Sequence, residues 1–284
     1  MQPTIRPLVS DGDFHACQRL IQRVWSMPDG LGVLPAHIMV AVPKNGGLLL
    51  GAFDGDDLIG YVFGFAGLTA QGRLKHCSHM MGVVPKYQAR GVGYQLKLAQ
   101  RDHLLARGLD LVTWTYDPLA SRNAYLNLGK LGAVCCTYLQ DYYGPMTDGL
   151  NAGLPPDRLQ VDWWIASEHV GQRIQRGRRR GLPQDAFQVI ETGRRSDGFL
   201  EPVGLRLKPE DAAARRIDVY VEIPADYQAI KAVDMDLALQ WRLATRQAFK
   251  AYFAAGFTAV DFITTVANGK RRSYYVLQSE DKPK

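Results

Sequence analysis

One stretch constrains this chain more than any other: Val83-Val84-Pro85-Lys86-Tyr87-Gln88-Ala89-Arg90-Gly91-Val92-Gly93-Tyr94-Gln95-Leu96-Lys97-Leu98. An apolar strand end meets Pro85, a short loop carries Gly91 and Gly93, and helical spacing then continues to about Arg107. The first amides of a helix have no intrahelical acceptor, and the macrodipole places about half a positive charge there. The glycines remove side chains where something must approach the backbone closely. The stretch therefore predicts an anion cradle, above all for a pyrophosphate. An ordinary glycine-containing strand-to-helix turn is the simpler alternative.

Spacing separates the nucleotide folds that use such a cradle. A P-loop needs Lys-Ser/Thr after its last glycine, and Tyr94-Gln95 stand there. A dinucleotide fingerprint needs a third glycine, and position 96 is Leu. What remains is Gln-x-x-Gly-x-Gly (Gln88, Gly91, Gly93) after a Val-Val-Pro strand end. This resembles the pyrophosphate loop of the GNAT superfamily, the CoA-dependent N-acyltransferases.

A second stretch, Asp117-Pro118-Leu119-Ala120-Ser121-Arg122-Asn123-Ala124-Tyr125-Leu126-Asn127-Leu128-Gly129-Lys130-Leu131-Gly132-Ala133, is similar to the last motif of that family. Ala124, Lys130, Leu131 and Gly132 are in register. Ser121, expected as the helix N-cap, replaces the usual Asn. Leu128 stands where the family commonly has the tyrosine that protonates the departing thiolate. The whole chain also resembles a predicted group within the superfamily that carries a C-terminal extension.

The resemblance implies an α/β (α+β) fold: a mixed, mostly antiparallel sheet flanked by helices, with acetyl-CoA or another acyl-CoA as co-substrate and a small amine as acceptor. Residues Met81, Val83, Gln88, Ala89, Arg90, Gly91, Val92, Gly93 and Tyr94 would hold the cofactor. The pantetheine would pair with the free edge of the strand ending at Val84, where a backbone amide can serve the oxyanion.

The chain order agrees. A strand Thr4 to Val9 is followed by a helix with Phe14, Cys17, Leu20, Ile21 and Val24 at helical spacing. After a loop from Ser26 to Leu34, Pro35 opens a short helix to Val42. Strands Leu48 to Phe53, Leu58 to Phe65 and Arg73 to Val84 lead into the glycine loop. Strands Leu109 to Tyr116, Val134 to Leu139 and Leu159 to Ala166 complete a catalytic domain, residues 1–167. Residues 168–284 read as a basic linker and a smaller α/β subdomain. Within it one long helix runs from Pro224-Ala225-Asp226 to about Ala254.

The strand Arg73 to Val84 contains no carboxylate, so its histidines are the candidate bases. Its two-residue period puts His76 and His79 on opposite faces unless a bulge intervenes. His79 shares the parity of Met81 and Val83 and is the base put forward, since imidazole titrates near neutral pH. Tyr125, one turn from Leu128, and Tyr142 or its neighbour Tyr143 are candidate acids. Arg122 and Arg158 could grip a carboxylate bidentately, which suits an amino-acid acceptor or a succinyl donor. For each of these residues, packing or surface solvation is the plain alternative. No cysteine stands with an evident base, so direct attack on the thioester is expected.

With 46% hydrophobic and 22% charged residues the chain reads as globular, and no apolar run reaches membrane-span length. The N-terminus lacks a signal-peptide core, so a cytoplasmic location is the default expectation. Cys17, Cys77, Cys135 and Cys136 have no metal-ligand spacing, and no metal is expected. Much of the net charge of +6 sits in Arg173 to Arg180. That run is expected to be solvated; a nucleic-acid partner is the weaker reading. A homodimer stays open. The rival class is a catalytically silent CoA-binding sensor or scaffold, which Leu128 favours.

Overall fold

The computed structural model describes residues 3–27, 32–144, 152–177, 181–267 and 269–279. The chain forms two compact units. One holds residues through Trp114 together with Trp164–Ala166; the other begins at Thr115 and includes Gly153–Trp163 and the residues from Ser167 onward. Each is built on a mixed, mostly antiparallel sheet flanked by helices. The sequence reading divides the chain at 167/168, whereas the compact units first divide after Trp114.

In the first unit, β1 (Thr4–Pro7) leads to α1 (Asp11–Trp25) through a capping box. Ser10 Oγ accepts Asp13 N, and the Asp13 carboxylate accepts Ser10 N and the Arg6 guanidinium. Such a cap contributes about 1 kcal/mol. Next come α2 (Ala36–Lys44), β2 (Leu48–Asp54), β3 (Asp57–Leu68), β4 (Leu74–Val83), α3 (Val92–Leu105) and β5 (Leu111–Tyr116). Pro35 sits just outside α2 as its N-cap. Strands β1 to β4 pair antiparallel in order, and β5 joins β4 in parallel.

The run Leu48-Leu49-Leu50 is buried on both faces, because alternate residues point to different helices. Leu49 packs with Phe14, Cys17, Ile21 and Met39 of α1 and α2, whereas Leu48 and Leu50 pack with Val92 and Leu96 of α3. The result is a sheet between two helical layers.

In the second unit, α4 (Ser121–Ala124) continues directly into a π-helical turn, Tyr125–Lys130. Then follow β6 (Val134–Leu139), β7 (Arg158–Trp164), α5 (Glu168–Arg176), β8 (Phe187–Gln188), β9 (Ile190–Arg194), β10 (Leu200–Leu205), α6 (Pro209–Ala214) and β11 (Val219–Ile223). Helices α7 (Tyr227–Val233) and α8 (Met235–Ala254) and strands β12 (Thr258–Ala267) and β13 (Lys270–Gln278) complete it. The main sheet runs β7-β6-β12-β13-β11-β8, and β9 pairs with β10 separately. Trp241, Phe249 and Tyr252 of α8 are fully buried.

Three sequence expectations change here. The single helix to Ala254 is two helices, because Asp234 adopts extended dihedrals (φ −151°, ψ 95°) and caps α8 by accepting Leu237 N at 2.8 Å. Ser121 is not a cap; its hydroxyl lies 3.1 Å from Ser273 Oγ. The expected linker begins as helix α5, capped by Ser167. Arg173 there donates to Asp261 at 2.7 Å and to the carbonyls of Leu128 and Gly129 in the π-helical turn. It is structural, whereas Arg178, Arg179 and Arg180 lie outside the described residues.

Candidate functional site

The glycine loop is an open backbone turn at the surface. Pro85–Tyr87 forms a short 3-10 turn, and Gln88 Nε2 donates back to Val83 O at 3.1 Å. Tyr87 is fixed by a 2.9 Å bond from its hydroxyl to Asp54. Ala89 (φ +61°) and Gly91 (φ +86°) both take the left-handed region. For Ala89 that costs about 1 kcal/mol or more, a local strain that the surrounding turn holds in place.

Gly91 is the N-cap of α3, so no side chain satisfies the helix start, and the first turn carries no acid. The bond from Gln95 N to Gly91 O, 3.0 Å, closes the first turn, leaving the amides of Val92 and Gly93 ahead of the helical ladder. A Cβ on Gly91 would meet nothing within 4 Å, which shows clear space beside the backbone. Gln88, Ala89 and Arg90 are exposed, and Gly93 and Tyr94 are half-buried. Positive dipole, clear space and absent acids fit a pyrophosphate.

Upstream, β4 carries a bulge. Phe65 pairs with Cys77 but Phe63 with Met80, so three steps on β4 oppose two on β3. This changes the expected parity. Ser78 bonds α3, and Met81 and Val83 pack with Val92 and Leu96. Met80 instead packs with the α1 side, and the His79 ring lies 6.4 Å from Phe63 and 5.7 Å from Phe65, centroid to centroid. His79 therefore does not share the face of Met81 and Val83. It is exposed at the surface, and partial burial against the two rings lowers its pKa from the usual imidazole value.

Among the described residues the β4–β5 ladder holds His76↔Val112 and Cys77↔Thr113. Beyond them β4 runs on to Val83, so the two strands part just before the bulge. His76, on the α3 side, is fully buried; its Nε2 lies 3.2 Å from Gln100 Nε2. Gly64 makes room for it, since a Cβ there would collide with the imidazole. Burial, with the nearby charges of Lys97, His103 and Arg107, lowers its pKa to about 3. His76 is a neutral core residue.

The remaining candidates belong to the second unit. Tyr125 is half-buried at the start of the π-helical turn, with the Lys130 ammonium 5.6 Å from its ring centroid. Leu128 is fully buried. Tyr142 is exposed and stacks edge-on against Tyr143, whose hydroxyl lies 2.9 Å from Thr115 Oγ1. Arg122 is exposed, whereas Arg158 is buried, donating to Asp157 O at 2.9 Å beside the Tyr143 ring. The loop Asp141 to Arg158 lies partly outside the described residues at 145–151, as does the loop Ser26 to Leu34 at 28–31.

Reasoning from sequence missed a buried cluster behind β4, in which Lys97 of α3 meets Ser78 and Gln100. The only available signal was a lysine on the stripe that contains Leu96 and Leu104.

No family model matches the chain, and no curated protein matches it. Among solved structures it is similar to the ribosomal-protein-S18-alanine N-acetyltransferase of Escherichia coli, at 20% identity and TM-score 0.44, covering 58% of this chain and 94% of that one. A GNAT-family acetyltransferase of Streptococcus pneumoniae aligns at 17% identity and TM-score 0.47, over 57% and 98% of the two chains. A putative GNAT-family acetyltransferase of Desulfovibrio desulfuricans aligns at 17% and 0.42, over 58% and 99%. With TM-scores below 0.5 and identities of 20% or less, these likenesses bring neither a family nor a substrate to this chain. No described helix is long and apolar enough to cross a membrane, and the described residues hold no His/Cys/Asp/Glu group that could bind a metal.

Proposed function

We propose that the protein is an acyl-CoA-dependent N-acyltransferase, with acetyl- or succinyl-CoA as donor and a small amine, such as an amino acid, as acceptor. The observation that carries this reading is the parting of β4 from β5 just upstream of an uncapped, acid-free helix N-terminus. An acyl-CoA has an extended pantetheine arm and a pyrophosphate, and the two features meet those parts in chain order. Met81 and Val83 offer strand-edge backbone to the arm. The amides of Val92, Gly93 and Tyr94 face the phosphates, with Arg90 adding charge at the loop.

When bound, the acyl-CoA supplies an activated carbonyl. The chain contributes orientation, worth several kcal/mol in such reactions, and a backbone amide at the bulge for the oxyanion. His79, with its pKa lowered, is unprotonated at neutral pH and can take the ammonium proton. Burial raises the Cys17, Cys77 and Cys135 thiols, so they stay protonated and direct attack is favoured over a covalent relay. Tyr125 and Tyr142 remain the phenols to be tested as acid.

The buried Leu128 favours a second reading, CoA binding without turnover. Thermal shift with acetyl-CoA, succinyl-CoA and CoA, on wild type and Gly91→Asp, tests the binding step. Saturation at a hundredfold excess over Kd stabilises by about 2.7 kcal/mol. The shift should vanish in Gly91→Asp, where the carboxylate repels phosphate; because the left-handed backbone (φ +86°) strains any side chain there, the variant is read against its own ligand-free melting temperature. Release of free CoA thiol on adding amines then separates enzyme from sensor, and His79→Gln should lower kcat by about a hundredfold. No shift with any CoA form sinks both readings.

A further inference from the structure

The residue that follows the last ladder pair is Ser78 on β4 and Trp114 on β5. One side chain of α3 reaches both. Lys97 Nζ donates to Ser78 Oγ at 3.0 Å and to Gln100 Oε1 at 2.8 Å, and lies 3.7 Å from the centroid of the Trp114 ring. The side chain is almost wholly buried, with a relative exposure of 2%. Burying an ammonium is costly unless polar or π partners receive it. A purely structural wedge here could be Leu or Met, as Leu96 and Leu104 are elsewhere on the same helix. A lysine at the fork of two diverging strands thus points to a use for its charge.

We propose that Lys97 is a positioning residue for acyl transfer: its ammonium ties the strand end at Ser78 to that at Trp114 and sets the opening in which the thioester is held. This rests on the acyltransferase reading above. The grip depends on the proton, because the neutral amine has one donor fewer and no attraction to the ring face. His76 faces the cluster from β4 and Cys77 acts on it electrostatically, while His103 of α3 and Arg107 just past its end add basic groups beside His76. Thr113 and Trp114 of β5 are neutral. His76 is already uncharged near neutrality, so Lys97, which burial pulls down to about 7, is the member of the cluster that changes charge there.

The full chain is compared as wild type and Lys97→Met, each with and without Trp114→Phe. The emission of wild type or Lys97→Met, minus that of the same protein carrying Trp114→Phe, isolates the Trp114 indole among the five tryptophans. That signal should titrate with a midpoint near 7 and be flat in Lys97→Met, since the ammonium quenches the ring it covers. Lys97→Met should keep or raise its melting temperature and bind acyl-CoA with KM within about threefold, yet lose about tenfold in kcat, together with the decline of kcat above neutral pH. Unchanged kcat and pH profile in Lys97→Met would overturn the proposal, as would a Trp114 signal that does not titrate. Wild-type protein that transfers no acyl group to any amine overturns the acyltransferase reading and, with it, the role in transfer. That failure is recognisable because the Trp114 titration does not depend on turnover.

Discussion

The two units bury charge in opposite ways. In the first, Lys97 and His76 sit among neutral Ser78, Gln100 and Trp114, and burial lowers their pKa values to about 7 and about 3. In the second, arginines clamp carboxylates. Arg242 bonds both oxygens of Asp117 at 2.9 and 2.6 Å, and Arg246 bonds both oxygens of the fully buried Asp157 at 2.8 Å. Burial by itself would raise the Asp157 pKa, yet Arg246, Tyr138 and the Asp141 amide outweigh it and hold it low. A guanidinium keeps its proton at any working pH, whereas an ammonium or imidazole releases it when desolvated. The Asp117 and Asp157 pairs of the second unit are therefore fixed and serve architecture, while Lys97 and His76 of the first are adjustable by pH and lie beside the candidate site.

The strongest way to break the contrast is Arg246→Met. It leaves the Asp157 carboxylate buried without its cation, and a loss of about 3–5 kcal/mol is expected in urea unfolding. A loss under about 1 kcal/mol would mean that Tyr138 and the Asp141 amide suffice.

Acid is the next lever, acting on the first unit. The folded His76 pKa lies below the unfolded value near 6.5, so the unfolded chain takes the proton first. Stability then falls as pH drops below about 6.5, by up to about 1.4 kcal/mol per pH unit, until about pH 3. Melting curves of His76→Gln should show a shallower acid slope than wild type; an identical slope would assign the acid loss to other groups.

The third test sharpens the comparison on the alkaline side. Lys97 is protonated in the unfolded chain up to about 10.5 but in the folded chain only to about 7, so stability should rise as pH increases between these values. Lys97→Met should flatten that rise and at neutral pH leave stability unchanged or raise it, since an apolar side chain of similar volume replaces a costly buried charge. A large loss would show that the ammonium's bonds outweigh its desolvation.

The element order of the first unit was legible because its signals are local. Ser10 and Asp13 cap a helix, Leu48-Leu49-Leu50 is too apolar for any place except a two-sided core, and Pro85 with Gly91 punctuates strand, loop and helix. The backbone shape of the glycine loop was legible for the same reason, since Pro85 and Gly91 act on their immediate neighbours. The side-chain half was not. His79 changed faces through one extra residue between Cys77 and Met80, which no periodicity reveals because the bulge exists only in the pairing with β3. Asp234 broke an apparently continuous helix stripe by capping α8 and bonding Arg195 at 2.8 Å, a partner 39 positions away.

By itself the sequence determined an uncapped, acid-free helix start, the strand that feeds it and the cores that hold both, because propensity, capping and apolar periodicity act over a few residues. Tertiary structure alone decided which charges are fixed and which are adjustable. A pKa depends on burial and on partners brought together from distant parts of the chain, as when Asp157 receives Arg246 and Lys97 receives Ser78 and Trp114.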